Sequence, residues 1–175
     1  MKVTNEILPK AEYPLLALRG LVVCPGMLVH FDVGRQKSVQ ALDEAMGGDQ
    51  TVFLVAQKDM TVDDPTPEQL YSVGVVAKIR QVLRLPGDNL RILVEGQRRA
   101  KVVQLVQETP YFRAQVRDCL IRRVGDPLRD AALLRECRAA FSAYAAVAQK
   151  LPAEVVAGVQ NARDAEYITD WIASN

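Results

Sequence analysis

The chain has 175 residues, 49% hydrophobic and 25% charged, with 22 Lys and Arg balanced by 21 Asp and Glu. That length and apolar content support a genuine core with room for an appendage. The formal net charge of +1 excludes a global field that would draw the protein to nucleic acid or to a membrane surface.

Met1 to Pro9 holds no sustained apolar run, and Arg19 interrupts the longest apolar stretch well short of a bilayer span. A cytoplasmic location without membrane contact is expected. From Glu12 to Leu120 short β-branched segments are broken by Pro, Gly and Asp, the pattern of strands and turns. Tyr13 to Leu18, Leu28 to Val33 and Thr51 to Gln57 are the early strands. Between them a helix is predicted from Arg35 to Met46, because Val39, Leu42 and Met46 recur at helical spacing and Gly47-Gly48 offers a C-terminal cap. Lys58 to Gln69, with Asp63-Asp64-Pro65 and Pro67, reads as a surface loop, and strands resume at Val73.

The clearest hairpin runs from Val75 to Val94 around the turn Pro86-Gly87-Asp88-Asn89. Val75, Ala77, Ile79, Leu83 and Leu85 are expected on its inward face with Gln81 the one polar exception, while Lys78, Arg80 and Arg84 point out. Leu90, Ile92 and Val94 return inward. Past Arg123 the pattern becomes helical: Asp126 is an N-cap with Pro127 at the first position, and strong helix formers continue to Lys150. Its stripe, Leu134, Cys137, Phe141, Tyr144, Ala148 and Leu151, suits packing on neighbouring helices. A second helix is expected from Pro152 with Val155, Val156 and Val159 inward, and a third from Asp164 with Ile168, Trp171 and Ile172 on one face. So few residues follow Trp171 that its face is expected to lack partners, as in a segment cut from a larger protein.

Catalytic chemistry has little to stand on. His30 is the single histidine, in a strand, so any Ser-His or Cys-His pair would have to be built around it. Cys24, Cys119 and Cys137 form no CxxC pair and read as free thiols in a reducing compartment. No Gly-x-Ser-x-Gly elbow or phosphate-binding loop occurs, and Asp63-Asp64 reads as a solvated turn rather than a calcium site. No cofactor is expected. Lys78, Arg80, Arg84, Arg91, Arg98, Arg99 and Lys101 could gather on the hairpin, but no aromatic interleaves with them to stack bases, so nucleic-acid binding is not favoured.

Whole stretches resemble the N-terminal domain of the Lon family of ATP-dependent proteases: Pro14-Leu-Leu-Ala-Leu-Arg-Gly-Leu-Val-Val-Cys-Pro-Gly-Met27, Val33-Gly-Arg-Gln-Lys-Ser38 and Phe53-Leu-Val-Ala-Gln-Lys58. Leu70-Tyr-Ser-Val-Gly-Val-Val-Ala-Lys-Ile79, Leu85-Pro-Gly87 and Leu93-Val-Glu-Gly-Gln-Arg-Arg-Ala100 follow in the same order, and Leu151-Pro-Ala-Glu-Val155 is similar to the start of that family's helical neck. The resemblance implies an α+β fold: a β-rich, PUA-like pseudo-barrel with one helix over residues 1–122, then a helical segment over 123–175. It further implies a non-catalytic module that captures unfolded or tagged proteins for the ATPase and Ser-Lys peptidase domains of a parent chain; a second copy of the chain, forming a homo-oligomer, is a separate candidate partner.

Two groups are candidates for contact with such partners. Leu21, Val22, Met27 and Leu28 flank the Pro25-Gly26 turn and could catch extended polypeptide. Arg35, Gln36 and Lys37 open the first helix and could meet acidic segments or a neighbouring subunit. A stand-alone ligand-binding or adaptor domain of the same fold is the competing reading, followed by RNA binding through Arg80, Arg84 and Arg91.

Overall fold

A computed structural model describes residues 11–86, 89–119, 126–148, 151–162 and 164–174. They belong to two compact units, Met1–Cys119 and Leu120–Asn175. The boundary expected between 122 and 123, the turn residues Gly87 and Asp88, and the last two residues of the predicted long helix lie outside the described residues.

The first unit contains strands β1 (Ala11–Leu18), β2 (Leu28–Val33), β3 (Thr51–Ala56), β4 (Val73–Arg84), β5 (Leu90–Gln107) and β6 (Arg113–Asp118), with helix α1 (Gln36–Gly47) between β2 and β3. The sheet order is β2-β5-β4-β3-β1-β6, and β6 also pairs with β5. That extra pairing closes five strands into a barrel, because β5 is long enough to serve two neighbours on one side. Its first half, Leu90 to Glu95, pairs with β2, and its second half, Ala100 to Gln107, pairs with β6. Closure removes most edges that would otherwise template aggregation. The β1–β3 pair is parallel within an otherwise antiparallel sheet.

Every residue of β3 from Thr51 to Val55 is buried, since its two faces feed two cores. Val52 and Leu54 join Leu16, Leu42 and Ile92 in one core that includes α1, while Phe53 and Val55 join Leu15, Val76 and Val116 in the other. A strand covered on both sides has no polar face, which explains the unbroken run Val-Phe-Leu-Val. Ala41, Leu42 and Ala45 are the buried residues of α1; Met46, placed on the inward stripe by spacing alone, is 40% exposed.

Two bulges in the β4–β5 ladder alter the expected hairpin. Ile79 faces Val94, and the next pair is Gln81 with Leu93, leaving Arg80 as an extra residue. One inserted residue inverts the facing of all that follows. Leu83 is therefore exposed rather than inward, Val82 packs on the core instead, and the polar Gln81 lies at the surface. The second irregularity, between Val76 and Ala77, leaves Gln97 of β5 unopposed.

The second unit consists of α2 (Pro127–Val147), α3 (Ala153–Asn161) and α4 (Ala165–Ser174). Asp126 caps α2 as its position suggests, accepting from the Leu128 amide at 3.0 Å. Phe141, Val155, Val159, Ala162 and Ile168 form the core, with Leu134, Cys137 and Leu151 packed against it. Tyr144 departs from the expected stripe: it is 57% exposed, its ring tilted on Phe141. Trp171, expected to lack partners, donates its indole N–H to the Val155 carbonyl at 3.0 Å and stacks with Tyr167. A Cβ at Gly158 would stand 2.3 Å from the indole, so this glycine gives the ring its seat. No helix among the described residues is long and apolar enough to cross a membrane.

Candidate functional site

The turn between β1 and β2 is built from local chemistry and then fastened to the sheet. Pro25 sets φ at the second position, and Gly26 supplies the φ of +81° required at the third. The Met27 amide closes the turn on the Cys24 carbonyl at 3.1 Å. Two backbone bonds pin it to β5: Gly26 donates to the Gly96 carbonyl at 2.8 Å, and Gly96 donates to that of Met27 at 2.9 Å. This approach is so close that a Cβ on Gly96 would lie 2.3 Å from the Cys24 carbonyl oxygen.

The four apolar candidates around the turn divide into two pairs. Leu21 and Met27 pack partly buried against the barrel core, whereas Val22 and Leu28 are 69% and 62% exposed. Exposed apolar side chains of this size beside a fixed turn would make contact at little cost in ordering entropy. Between the ends of β1 and β2 lies a groove of about 510 Å³, lined by Leu18, Leu21, Phe31, Val33, Arg35 and Asn89 among others.

Arg35, Gln36 and Lys37 come together with Asp63, Asp64 and Phe112 around a smaller pocket of about 290 Å³. Gln36 is exposed, but the two cations are occupied by their own fold. The Arg35 guanidinium donates to the Gln57 side chain at 2.9 Å, to the Asp63 carbonyl at 3.1 Å and to the Ala17 carbonyl. Burial pushes its pKa down, and the charge of Arg19 adds to that shift. Lys37 binds both carboxylate oxygens of Asp64, at 2.7 and 2.9 Å, and its ammonium sits 5.0 Å from the centre of the Phe112 ring. Asp63 in turn takes Arg19 at 2.8 Å. The loop aspartates, which read as a solvated turn, thus hold the loop against α1 and β1. Nothing in local periodicity signals this, because each partner is at least 27 residues away.

The basic hairpin face is largely matched by acids and carbonyls. Arg80 pairs with Glu95, Arg91 takes Asp32 through two bonds of 2.7 and 2.9 Å, Arg98 pairs with Asp118, and Lys78 donates to the Asp49 carbonyl. The Arg91 bonds hold the Asp32 carboxyl below the usual carboxylate range and raise Arg91. Such a face presents little net positive field to a polyanion. His30 is exposed on β2, and no group of three or more His, Cys, Asp or Glu among the described residues could hold a metal ion.

Sequence reasoning missed the unpaired side of β2. Among the described residues β2 pairs only with β5, which leaves its other edge without a strand partner among them. Strand positions 28–33 are legible in the sequence; which strand ends the sheet is not.

Comparison with known proteins places this geometry. The model of the ATP-dependent protease La (LON) substrate-binding domain matches residues 12–175. A Lon protease of Desulforamulus reducens is 40% identical over 162 residues, covering 93% of this chain and 20% of that protein. Lon protease 1 of Bacillus subtilis is 37% identical over 166 residues, 95% of this chain and 21% of the relative. The chain thus spans about a fifth of the length of these relatives. Among solved structures, the N-terminal domain of the Mycobacterium avium complex Lon protease superposes with a TM-score of 0.67 at 22% identity, covering 91% of this chain and 80% of that one. A Lon N-terminal domain protein from Xanthomonas campestris gives 0.52 at 14% identity, over 93% of this chain and 98% of that one, so these two likenesses speak for the fold. With the family model spanning both units and relatives near 40% identity along almost its whole length, the chain belongs to the LON substrate-binding domain family.

Proposed function

We propose that this chain is the non-catalytic substrate-recognition module of a Lon-type ATP-dependent Ser-Lys protease, capturing unfolded or tagged proteins in the cytoplasm for the ATPase and peptidase parts of its parent. The observation that carries the reading is membership of a substrate-binding family over residues 12–175. The exposed pair Val22 and Leu28, set on a turn pinned to β5, supports it physically. Unfolded chains differ from folded ones chiefly in offering apolar side chains and unpaired backbone, and a rigid apolar rim beside a groove selects for both. Leu21 and Met27 support that rim from beneath. Gln36, exposed beside the smaller pocket, is the member of the second group left to meet a partner segment, since Arg35 and Lys37 are held by Ala17, Gln57, Asp63 and Asp64 within the fold.

The test is a titration of the purified chain with reduced, carboxymethylated α-lactalbumin against the native form of the same protein. Binding confined to the unfolded form is expected. Replacing both Val22→Ser and Leu28→Ser is expected to weaken it by roughly tenfold while leaving the unfolding midpoint unchanged, since exposed side chains contribute little to stability. Equal binding to both forms of α-lactalbumin, or none to either, refutes the reading.

A further inference from the structure

The barrel leaves two strand edges beside one groove, and it treats them differently. On β1, the Leu18 carbonyl bonds inward to Gln57 at the end of β3, while Leu15 donates outward to the Phe112 carbonyl at 2.7 Å. Alternation along a strand therefore directs the backbone of Ala17 outward, to the side where, among the described residues, no strand lies beyond the Leu15–Phe112 bond. There the Arg35 guanidinium takes the Ala17 carbonyl, as a neighbouring strand would. The β1 edge is guarded.

Among the described residues the β2 edge has no such guard. Exposed edges are normally protected by Lys, Pro, a bulge or a covering element. β2 reads Leu-Val-His-Phe-Asp-Val, with neither Lys nor Pro, and its ladder to β5 runs from Leu28–Glu95 to Val33–Leu90 without a register shift. Its one acid, Asp32, is held by both bonds from Arg91 on β5. Six residues of regular edge, unpaired among the described residues, extend about 20 Å. Beside this edge, Leu18, Leu21, Phe31 and Val33 supply the apolar part of the groove lining, next to Arg19 and Arg35.

We infer that the open edge of β2 takes an extended polypeptide segment as an added strand, with alternate apolar side chains of that segment entering the groove between β1 and β2. This deepens the substrate-recognition reading and rests on it. The occupant follows from the chemistry of the site: a row of unpaired backbone groups is satisfied in series only by another extended backbone, and the apolar part of the lining, Leu18, Leu21, Phe31 and Val33, favours apolar residues at alternate positions. Unfolded proteins expose such segments; folded ones have already paired them. Recognition through backbone bonds is largely independent of sequence.

Two probes separate the parts of this argument. The first is an eight-residue peptide alternating leucine and threonine, with two versions N-methylated at either the odd or the even residues. The second is reduced, carboxymethylated α-lactalbumin. The unmethylated peptide is expected to bind and to slow hydrogen exchange at alternate β2 amides. One methylated version should lose roughly tenfold or more in affinity, the effect of two or three missing backbone bonds, while the other, methylated on the solvent side, retains it. Equal affinity of both methylated versions overturns strand addition, because side chains alone would then hold the peptide. Binding of the unfolded α-lactalbumin without protection of β2 overturns the edge but keeps the substrate reading; failure of both probes to bind refutes both. Protection of β2 that grows with protein concentration in the absence of any probe, together with dimer in sedimentation, assigns the edge to a second copy of the chain and likewise overturns the inference.

Discussion

Gly96→Ala offers the sharpest test of how the turn rim is held. The added methyl would lie 2.3 Å from the Cys24 carbonyl oxygen, 3.1 Å from its carbon and 3.3 Å from a Val23 methyl. The first contact is with backbone, so the turn itself must lift. Lifting it sacrifices the two bonds between Gly96 and the turn, together about 1–3 kcal/mol at the usual net value of a protein hydrogen bond. Residual overpacking against Val23 adds about 1 kcal/mol or more. A loss of roughly 2–4 kcal/mol is expected, or on the order of 10 °C in the melting temperature of a unit this size. Gly26→Ala is the control: no atom lies within 4 Å of its would-be Cβ, and only the φ of +81° opposes it, so about 1–2 kcal/mol is expected. Urea unfolding followed by far-UV circular dichroism, with hydrogen exchange reporting the Gly26 and Gly96 amides, measures both. If Gly96→Ala falls within 0.5 kcal/mol of the parent, or if Gly26→Ala costs more, the reasoning from close approach is wrong.

Gly158→Ala inverts an ordinary expectation: alanine inside a helix usually gains about 1 kcal/mol over glycine, but here its methyl meets the Trp171 ring at 2.3 Å. A net loss of about 2 kcal/mol or more and a red-shifted emission from the chain's single Trp are expected; an unshifted spectrum with increased stability refutes it. Arg35→Met keeps the aliphatic stem but removes the bonds to Gln57, Ala17 and Asp63, so a loss of about 2–3 kcal/mol and faster amide exchange across residues 58–66 should appear in urea titration and exchange measurements. Acid should destabilise the first unit in a defined window. The carboxyls of Asp32, Asp59 and Glu68 are held low, by Arg91, by Thr61, and by Glu68's own amide with the Thr66 hydroxyl respectively. A depressed folded-state value adds stability that is complete above the unfolded pKa and is lost as pH falls through the folded one. The urea midpoint is therefore expected to hold from pH 7 to about 5 and to fall below about 4, less steeply in Asp32→Asn; an identical slope in that variant removes Asp32 from the account.

The elements whose signals are local were legible in the sequence. The 24–27 turn follows from Pro then Gly, α1 from spacing and its terminal glycines, and the α2 cap from Asp126 before Pro127. In each case the deciding atoms lie within a few residues of one another. Family resemblance could be read for the same reason, since ordered stretches of residues carry it directly. Tertiary structure alone decided the rest. The parallel β1–β3 pair, the closure of the barrel by the second half of β5, and the bulge at Arg80 that turns Leu83 outward all depend on which strand meets which, and residue periodicity does not encode a partner. Arg35 illustrates the same limit at the candidate site: beside Gln36 and Lys37 it reads as a surface cation, yet it is spent inside the fold on groups 18, 22 and 28 residues away. The place of β2 at the end of the sheet order among the described residues is likewise a property of the assembled sheet, because a strand's own residues do not name its neighbours.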